Sequence, residues 1–453
     1  MLKKLLTPVL LVAVIAIMLI SCNSHNSKKQ NTILQLTHSA KGHTLHHNGV
    51  FSKDGRWVVF DGRNEETKIG ETSTIGVINI KTKEEKTIYE TSNPTLYGPG
   101  VGAASFSPVT NRVVFIHGLV DANKEKPYGF TRRTGVSVEL DHPFKPIFMD
   151  ARDITTPYTP GSLRGGTHSH CWDPGGKLIS FTYNDELVNP DFRTVGVLVA
   201  GKPVMVDKAP SNNNGEMFAA ILANVTVHPA SGSDEISKAF DECWVGENGY
   251  INSEGNKIPY AIAFQGNVVN KNGKTITEIF VIDIDTAAIL NDLTAAGKPG
   301  EWPHVPNGIT QRRISTTERG LAPVRHWLRS SRDGKYIYAL ATDNKNINQV
   351  VECDINSGEV TCLTDIPFSI DHPFNLNKQG DQLAFIAGNN VYILDLNAGK
   401  VIQLTSNKSS DLKITGAPSF SPDGKMLVFN QYQLLDDKCQ YLQVMAINID
   451  DLK

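Results

Sequence analysis

The stretches Phe51–Gly62 (FSKDGRWVVFDG), Trp172–Tyr183 (WDPGGKLISFTY) and Phe420–Gln431 (FSPDGKMLVFNQ) decide how this chain folds. Each is a tight turn of the Phe-Ser-Pro-Asp-Gly type that leads into an apolar strand. Seven such anchors can be placed, starting at Phe51, Phe106, Trp172, Val227, Ser330, Leu376 and Phe420. A strand follows each anchor, usually with a second and a third. After Leu376 these read QLAFIAG, NVYILDLN and, beyond Gly399, KVIQLT. Short strands with Gly, Asp and Asn turns at a recurring spacing predict a β-propeller, in which each small sheet buries its faces against its neighbours. The fold class is all-β, with seven blades, or six if the weak anchor at Val227 is false.

The last repeat, Phe420 to about Asn448, supplies three strands. Thr32–Thr37 (TILQLT) resembles the missing fourth, as in VIQLT, so the N-terminal strand is expected to pair with the C-terminal blade. Closure removes the exposed edges of an open sheet. No strand follows Val227 until about Ile258, and SGSDEISKAFDECWVG reads as a short helix within an insertion of blade four, about 230–257. A second loop, about 287–307, holds a helical stretch and then a Pro-rich run. The propeller spans 31–453 as a single domain.

Residues 1–21 read as a lipoprotein signal peptide: Lys3 and Lys4, an apolar run from Leu5 to Ile20, then Ser21 and Cys22. Cys22 is the expected lipidation site, and 22–30 is a polar, flexible tether. No Asp follows Cys22, which points to the outer membrane, facing the periplasm. The lipid is the expected membrane contact. The net charge of −3 gives no electrostatic footprint for nucleic acid. Five cysteines remain besides Cys22, an odd number that argues against a full disulfide framework. Cys353 and Cys362 flank the turn at Ser357-Gly358, where a disulfide is one option.

Four residues before an anchor stand His47, His168, His326 and His372; the other anchors have Gly102, Ala223 and Gly416 there. In a propeller this register lies at the channel mouth, so the four rings are expected to converge, with His170 one step deeper. Neutral imidazoles around a rigid axis suit a divalent transition metal. The same pattern also suits a metal-free anion funnel or a polar plug. Arg164 and Arg325 stand beside two of these histidines, with Arg132 and Arg133 in a nearby loop; arginine is the usual partner of carboxylate, sulfate or phosphate. Asp371 could orient His372 or begin a turn. There is no GxSxG elbow, P-loop or HExxH.

The anchors resemble those of TolB-like propellers. Over FDGR at Phe60, VFIHG at Val114, YTPGSLRGGTHSHCWDPGGKLISFTYND from Tyr158, GSDEISKAFDECWVG from Gly232, QRRIS from Gln311 and RHW at Arg325, the chain resembles the YidR-type family of TolB-related propellers. That resemblance implies the fold and assigns no activity. A looser one is to oligogalacturonate lyases, seven-bladed propellers with a histidine-bound manganese that break uronide chains by β-elimination. The THSH of Thr167–His170 looks like their His-x-His, one residue out of register.

Two functions follow as expectations. In the first, a divalent metal (Mn preferred; Fe, Ni or Zn also suited) held by His47, His168, His326 and His372 binds a small acidic carbohydrate. His170, with Arg164 and Arg325, then carries proton transfer and substrate charge. In the second, the chain is a TolB-like binding or scaffold protein whose partner is an envelope protein.

Overall fold

The computed structural model describes residues 32–409, 412–435 and 439–450. The signal peptide, Cys22 and the tether lie outside them. The turn behind each anchor explains why those residue types recur. Ser52, Ser331 and Ser421 each donate Oγ to the Asp two residues on (Asp54, Asp333, Asp423) and accept from the amide that opens the next strand (Trp57, Tyr336, Met426). Asp173 and Asn377 do the same job with a side-chain oxygen alone. Gly55, Gly334 and Gly424 close these turns at φ 69°, 75° and 69°, where a β-carbon would be strained.

The chain forms seven blades. Blades two and three are Val101–Phe106, Arg112–Gly118, Arg133–Glu139, His142–Phe148 and Gly166–Trp172, Leu178–Asn184, Arg193–Val199, Phe218–Ile221. Blade four is Ile236–Trp244, Ala261–Val269, Thr275–Asp283 and Gln311–Arg313. Blades five and six begin at the short strands Arg329–Ser330 and Asn375–Leu376. Blade one has three strands, Trp57–Asp61, Thr74–Asn79 and Glu85–Glu90, and an irregular inner segment bridged at Thr44–Asp61 and Phe51–Val58. Blade seven holds Ile414–Phe420, Met426–Leu435 and Cys439–Asn448. Its fourth strand is Ile33–Gln35, antiparallel to the last, with Ile33 opposite Ile447. The expected closure is present. Between blades the core is aliphatic and aromatic, as where Val58, Phe60, Val77, Phe115 and Val444 pack together.

Two expectations are corrected. The anchor at Val227 is false, and 230–257 is not a helical insertion: Ile236–Trp244 is the inner strand of blade four. Two register shifts, at Ile236/Ala239 and Phe240/Cys243, break its alternation. They space Ile236, Ala239, Phe240 and Cys243 at i, i+3, i+4 and i+7, which is the helical pattern. In place of the Ser-x-Asp-Gly turn, this blade has a small hairpin, Tyr250–Ile251 against Lys257–Ile258. Cys353 and Cys362 are free; Cys353 lies opposite Val360 and Cys362 opposite Val351, so the thiols are staggered. The 287–307 loop does hold a short helix, Thr286–Asn291, capped by Asp285.

Leu36 follows the closing strand, is 1% exposed and packs in the core beside Val444. Leu36→Ala should cost about 2–5 kcal/mol in chemical denaturation. Leu34→Ala, at a half-exposed position of the same strand, should cost less than about 1 kcal/mol.

Candidate functional site: an arginine-lined channel mouth

The inner strands bulge as they enter the channel. Register shifts fall between Gly102/Ser105, His168/Cys171, Phe240/Cys243 and Thr415/Ser419. The residue with positive φ is Ala103 (55°), Ser169 (58°), Asp241 (51°) or Gly416 (78°). A bulge inserts an unpaired residue and re-aims the side chains around it. In blades one, five and six the inner segment makes a longer excursion instead, between Thr44 and Phe51, Leu321 and Arg329, and Ile370 and Asn375. Equal spacing from the anchor therefore does not mean an equal position at the axis.

The four aligned histidines accordingly separate. His326 is buried with both nitrogens committed to main chain: Nδ1 donates to Val324 O (2.8 Å) and Nε2 accepts from Leu340 N (3.1 Å). His47 stacks on Trp327 at 3.7 Å, and its carbonyl accepts from Arg329 Nη2 and Asn375 Nδ2. His372 is partly exposed, 3.9 Å from Asp371. Only His168 has both ring nitrogens buried and unpartnered. Among the described residues no group of three or more His, Cys, Asp or Glu side chains is placed to hold a metal. The donor set His47, His168, His326 and His372 is thus not assembled, because two of the rings serve the hydrogen-bonded channel wall. Arg164 is also corrected. It pairs with Asp185 (3.1 Å), donates to the carbonyls of Ala296 and Glu301, and lies on Tyr158, fastening two loops.

What does converge is positive charge. Arg133 is 7% exposed and stands over Tyr128 and Phe130, 4.7 and 4.6 Å from the ring centres. Arg193 lies near Phe240. Neither guanidinium has a hydrogen-bond or ion-pair partner among the described residues. Burial pushes both pKa values down and Arg325 adds to this, while Asp241, and more weakly Glu242, oppose it at Arg193. Arg325 reaches in from blade five, on Trp327, and holds Glu66 at 3.0 Å with Asp241 4.0 Å away. The nearby Arg132 and Arg63 are by contrast neutralised, by Asp121 with Glu186 and by Asp61.

Titratable groups line the same mouth. Burial and then Arg193 and Arg133 hold His168 neutral. His170 is pulled down to about 3 by burial and Arg133; its Nε2 meets Thr167 Oγ1 at 3.1 Å, and its Nδ1 is unpartnered. Gly135 permits this, since a β-carbon there would sit 2.7 Å from His170 Nε2. His46 is likewise neutral, with Nδ1 unpartnered. Asp241 is raised by burial and has an unpartnered Oδ1. Arg193, Asp241 and His46 were not singled out from the sequence. A signal existed for the arginines: Arg133-Thr134 and Arg193-Thr194 both open the third strand of their blade. Asp241 was hidden by the helical misreading of its strand.

Comparison with known proteins gives a relative 34% identical over 411 residues, 87% of this chain and 94% of its own length: Uncharacterized protein YidR of Escherichia coli (strain K12). The chain belongs to the YidR family. Residues 100–214, which carry Arg133, His168 and Arg193, match the family described as protein of unknown function, DUF3748. The YidR-family fold is shared with oligogalacturonate lyase in complex with manganese, at TM-score 0.54 and 11% identity, covering 93% of this chain and 94% of that one. TolB from Acinetobacter baumannii is similar at TM-score 0.37 and 15% identity, covering 88% and 81%.

Two outcomes are expected. His326→Ala should lower stability by about 1–3 kcal/mol, since it orphans Leu340 N–H, without changing ligand binding. His170 is neutral when folded and takes a proton near 6.5 when unfolded, so its contribution is complete above 6.5 and is lost as pH falls toward about 3. Relative to wild type, His170→Gln should therefore gain up to about 1.4 kcal/mol per pH unit below that point in denaturant titrations. Parallel pH curves would contradict this.

Proposed function

We propose that the mouth binds a carboxylate-bearing oligosaccharide of the uronide class and cleaves it by β-elimination. The observation that carries this is the pair of unpartnered guanidinium groups, Arg133 and Arg193, set beside a neutral, unpartnered His168. Desolvated charge without a partner is costly, and a bound carboxylate removes that cost. Arginines matched to a carboxylate also draw electron density from the adjacent carbon and acidify its C–H. His168 takes that proton. The C–H electron pair forms a C=C bond as the bond to the leaving sugar oxygen breaks, and solvent protonates that oxygen. Asp241 steers the Arg325 guanidinium. The divalent metal expected from sequence has no step here, because its donors are not gathered and the mouth is already rich in positive charge.

The apolar segment ending at Cys22 supports an outer-membrane lipoprotein facing the periplasm, where such chains would arrive. Exposed Leu96, Val120 and Phe130, on loops at the same face, favour a second reading, a binding protein for an envelope partner.

The test is incubation of purified protein with oligogalacturonates in the presence of a chelator, following binding by calorimetry and unsaturated product by ultraviolet absorbance. Wild type should bind and release product. Arg133→Ala/Arg193→Ala should weaken binding roughly 10–100-fold, and His168→Ala should bind without forming product. Binding without product in wild type would leave the binding-protein reading; no binding would overturn the proposal.

A further inference from the structure

The opposite mouth of the channel holds a separate, half-open cavity of about 470 Å³ where the inner strands end. Five of its lining residues are aromatic: Phe51, Phe106, Trp172, Trp244 and Phe420. Four of these are the anchor residues of blades one, two, three and seven, and Trp244 holds the matching place in blade four. The anchors set the chain turn, yet nothing in a Ser-x-Asp-Gly turn requires an aromatic ring before it; Ser330 and Leu376 occupy the same place in blades five and six. The size lies in the range of small-molecule sites, about 300–1,000 Å³.

The floor is polar and carries a charge. Arg329 lines the cavity, buried, and its side chain binds the carbonyls of His47 and Leu328 and the amide oxygen of Asn375. No carboxylate lies within ion-pair distance of it among the described residues. Two further lining groups are buried without a hydrogen-bond partner, Trp172 Nε1 and Glu242 Oε1. Burial raises the Glu242 carboxyl to about 7, which leaves the Arg329 charge weakly opposed at neutral pH. Lys53 and Lys378 stand at the rim. The His47–Arg329–Asn375 hydrogen bonds lie between this cavity and the arginine mouth, so the two are chemically distinct compartments.

We infer that this cavity is a second ligand site, for a small aryl carboxylate whose ring enters the aromatic collar and whose charge is drawn toward Arg329. The site stands independently of the uronide reading. Aromatic side chains favour offset or edge-on contact with a flat ring, and the field of the buried guanidinium selects a negative charge over a neutral or positive one.

Tryptophan fluorescence reports on the site, since Trp172 and Trp244 line it. The titration uses benzoate as probe in the Arg133→Ala/Arg193→Ala protein, which silences the other mouth, with benzyl alcohol as the neutral comparison. Saturable quenching by benzoate, stronger than by benzyl alcohol, is expected. Phe420→Ala, which removes one wall of the collar, should weaken it about tenfold. Arg329→Met should abolish the preference for benzoate over the alcohol. Should that variant fail to fold, the Phe420→Ala protein and the alcohol comparison decide. No saturation below roughly 10 mM, equal affinity for the alcohol, or unchanged binding in Phe420→Ala would each overturn the inference.

Discussion

Seven inner strands must meet at one axis without leaving their polar groups stranded. In this protein the meeting point is the main chain of His47, whose carbonyl takes a hydrogen bond from Arg329 of blade five and another from Asn375 of blade six. Asn375 also donates to Pro418 O and Ser419 Oγ of blade seven, while Trp244 Nε1 of blade four reaches Cys171 O of blade three. The two bonds to the His47 carbonyl span 282 and 328 residues of sequence, and the others join neighbouring blades. A buried donor or acceptor left unpaired costs more than a made bond contributes, so the network fixes the ring as one arrangement. It also divides the channel into two compartments of different chemistry.

The compartments differ because the bulges act on one end only. Where the strands enter, left-handed residues at Ala103, Ser169 and Asp241 re-aim the neighbouring side chains, and long arginines from third strands reach in over Phe130 and Phe240. Where the strands leave, side-chain-capped turns end blades one, three, five, six and seven, and the aromatic anchors Phe51, Phe106, Trp172 and Phe420 line one cavity. One end became a positive, partly unsatisfied mouth. The other became an apolar collar over a polar floor.

The fold was largely legible in the chain. A Ser, Asp or Asn side chain that caps its own turn is a local device, readable from a dozen residues, and so is the alternation of the strands that follow it. The closing strand was legible too, because TILQLT repeats the VIQLT pattern of a fourth strand. Blade four was misread for a physical reason: two bulges gave its inner strand a helical spacing. The site was less legible. His168, His170 and Arg325 do reach the mouth. His326 and His47 went instead to main-chain and stacking contacts, and Arg164 to Asp185, because the inner segments of blades one, five and six loop out by different lengths.

By itself, then, the sequence determined six of the seven hairpins and their order, the way the ring closes and the residue types offered to the axis, since each depends on contacts within one blade or on a repeated pattern. The tertiary structure alone decided which charges stay unpaired there. Asp61 neutralises Arg63, and Glu186 with Asp121 neutralises Arg132, whereas Arg133 and Arg193 lie over aromatic rings with no carboxylate at ion-pair distance among the described residues. Pairing of a buried charge depends on distances between separate blades, and no spacing along the chain encodes those once bulges have shifted the register.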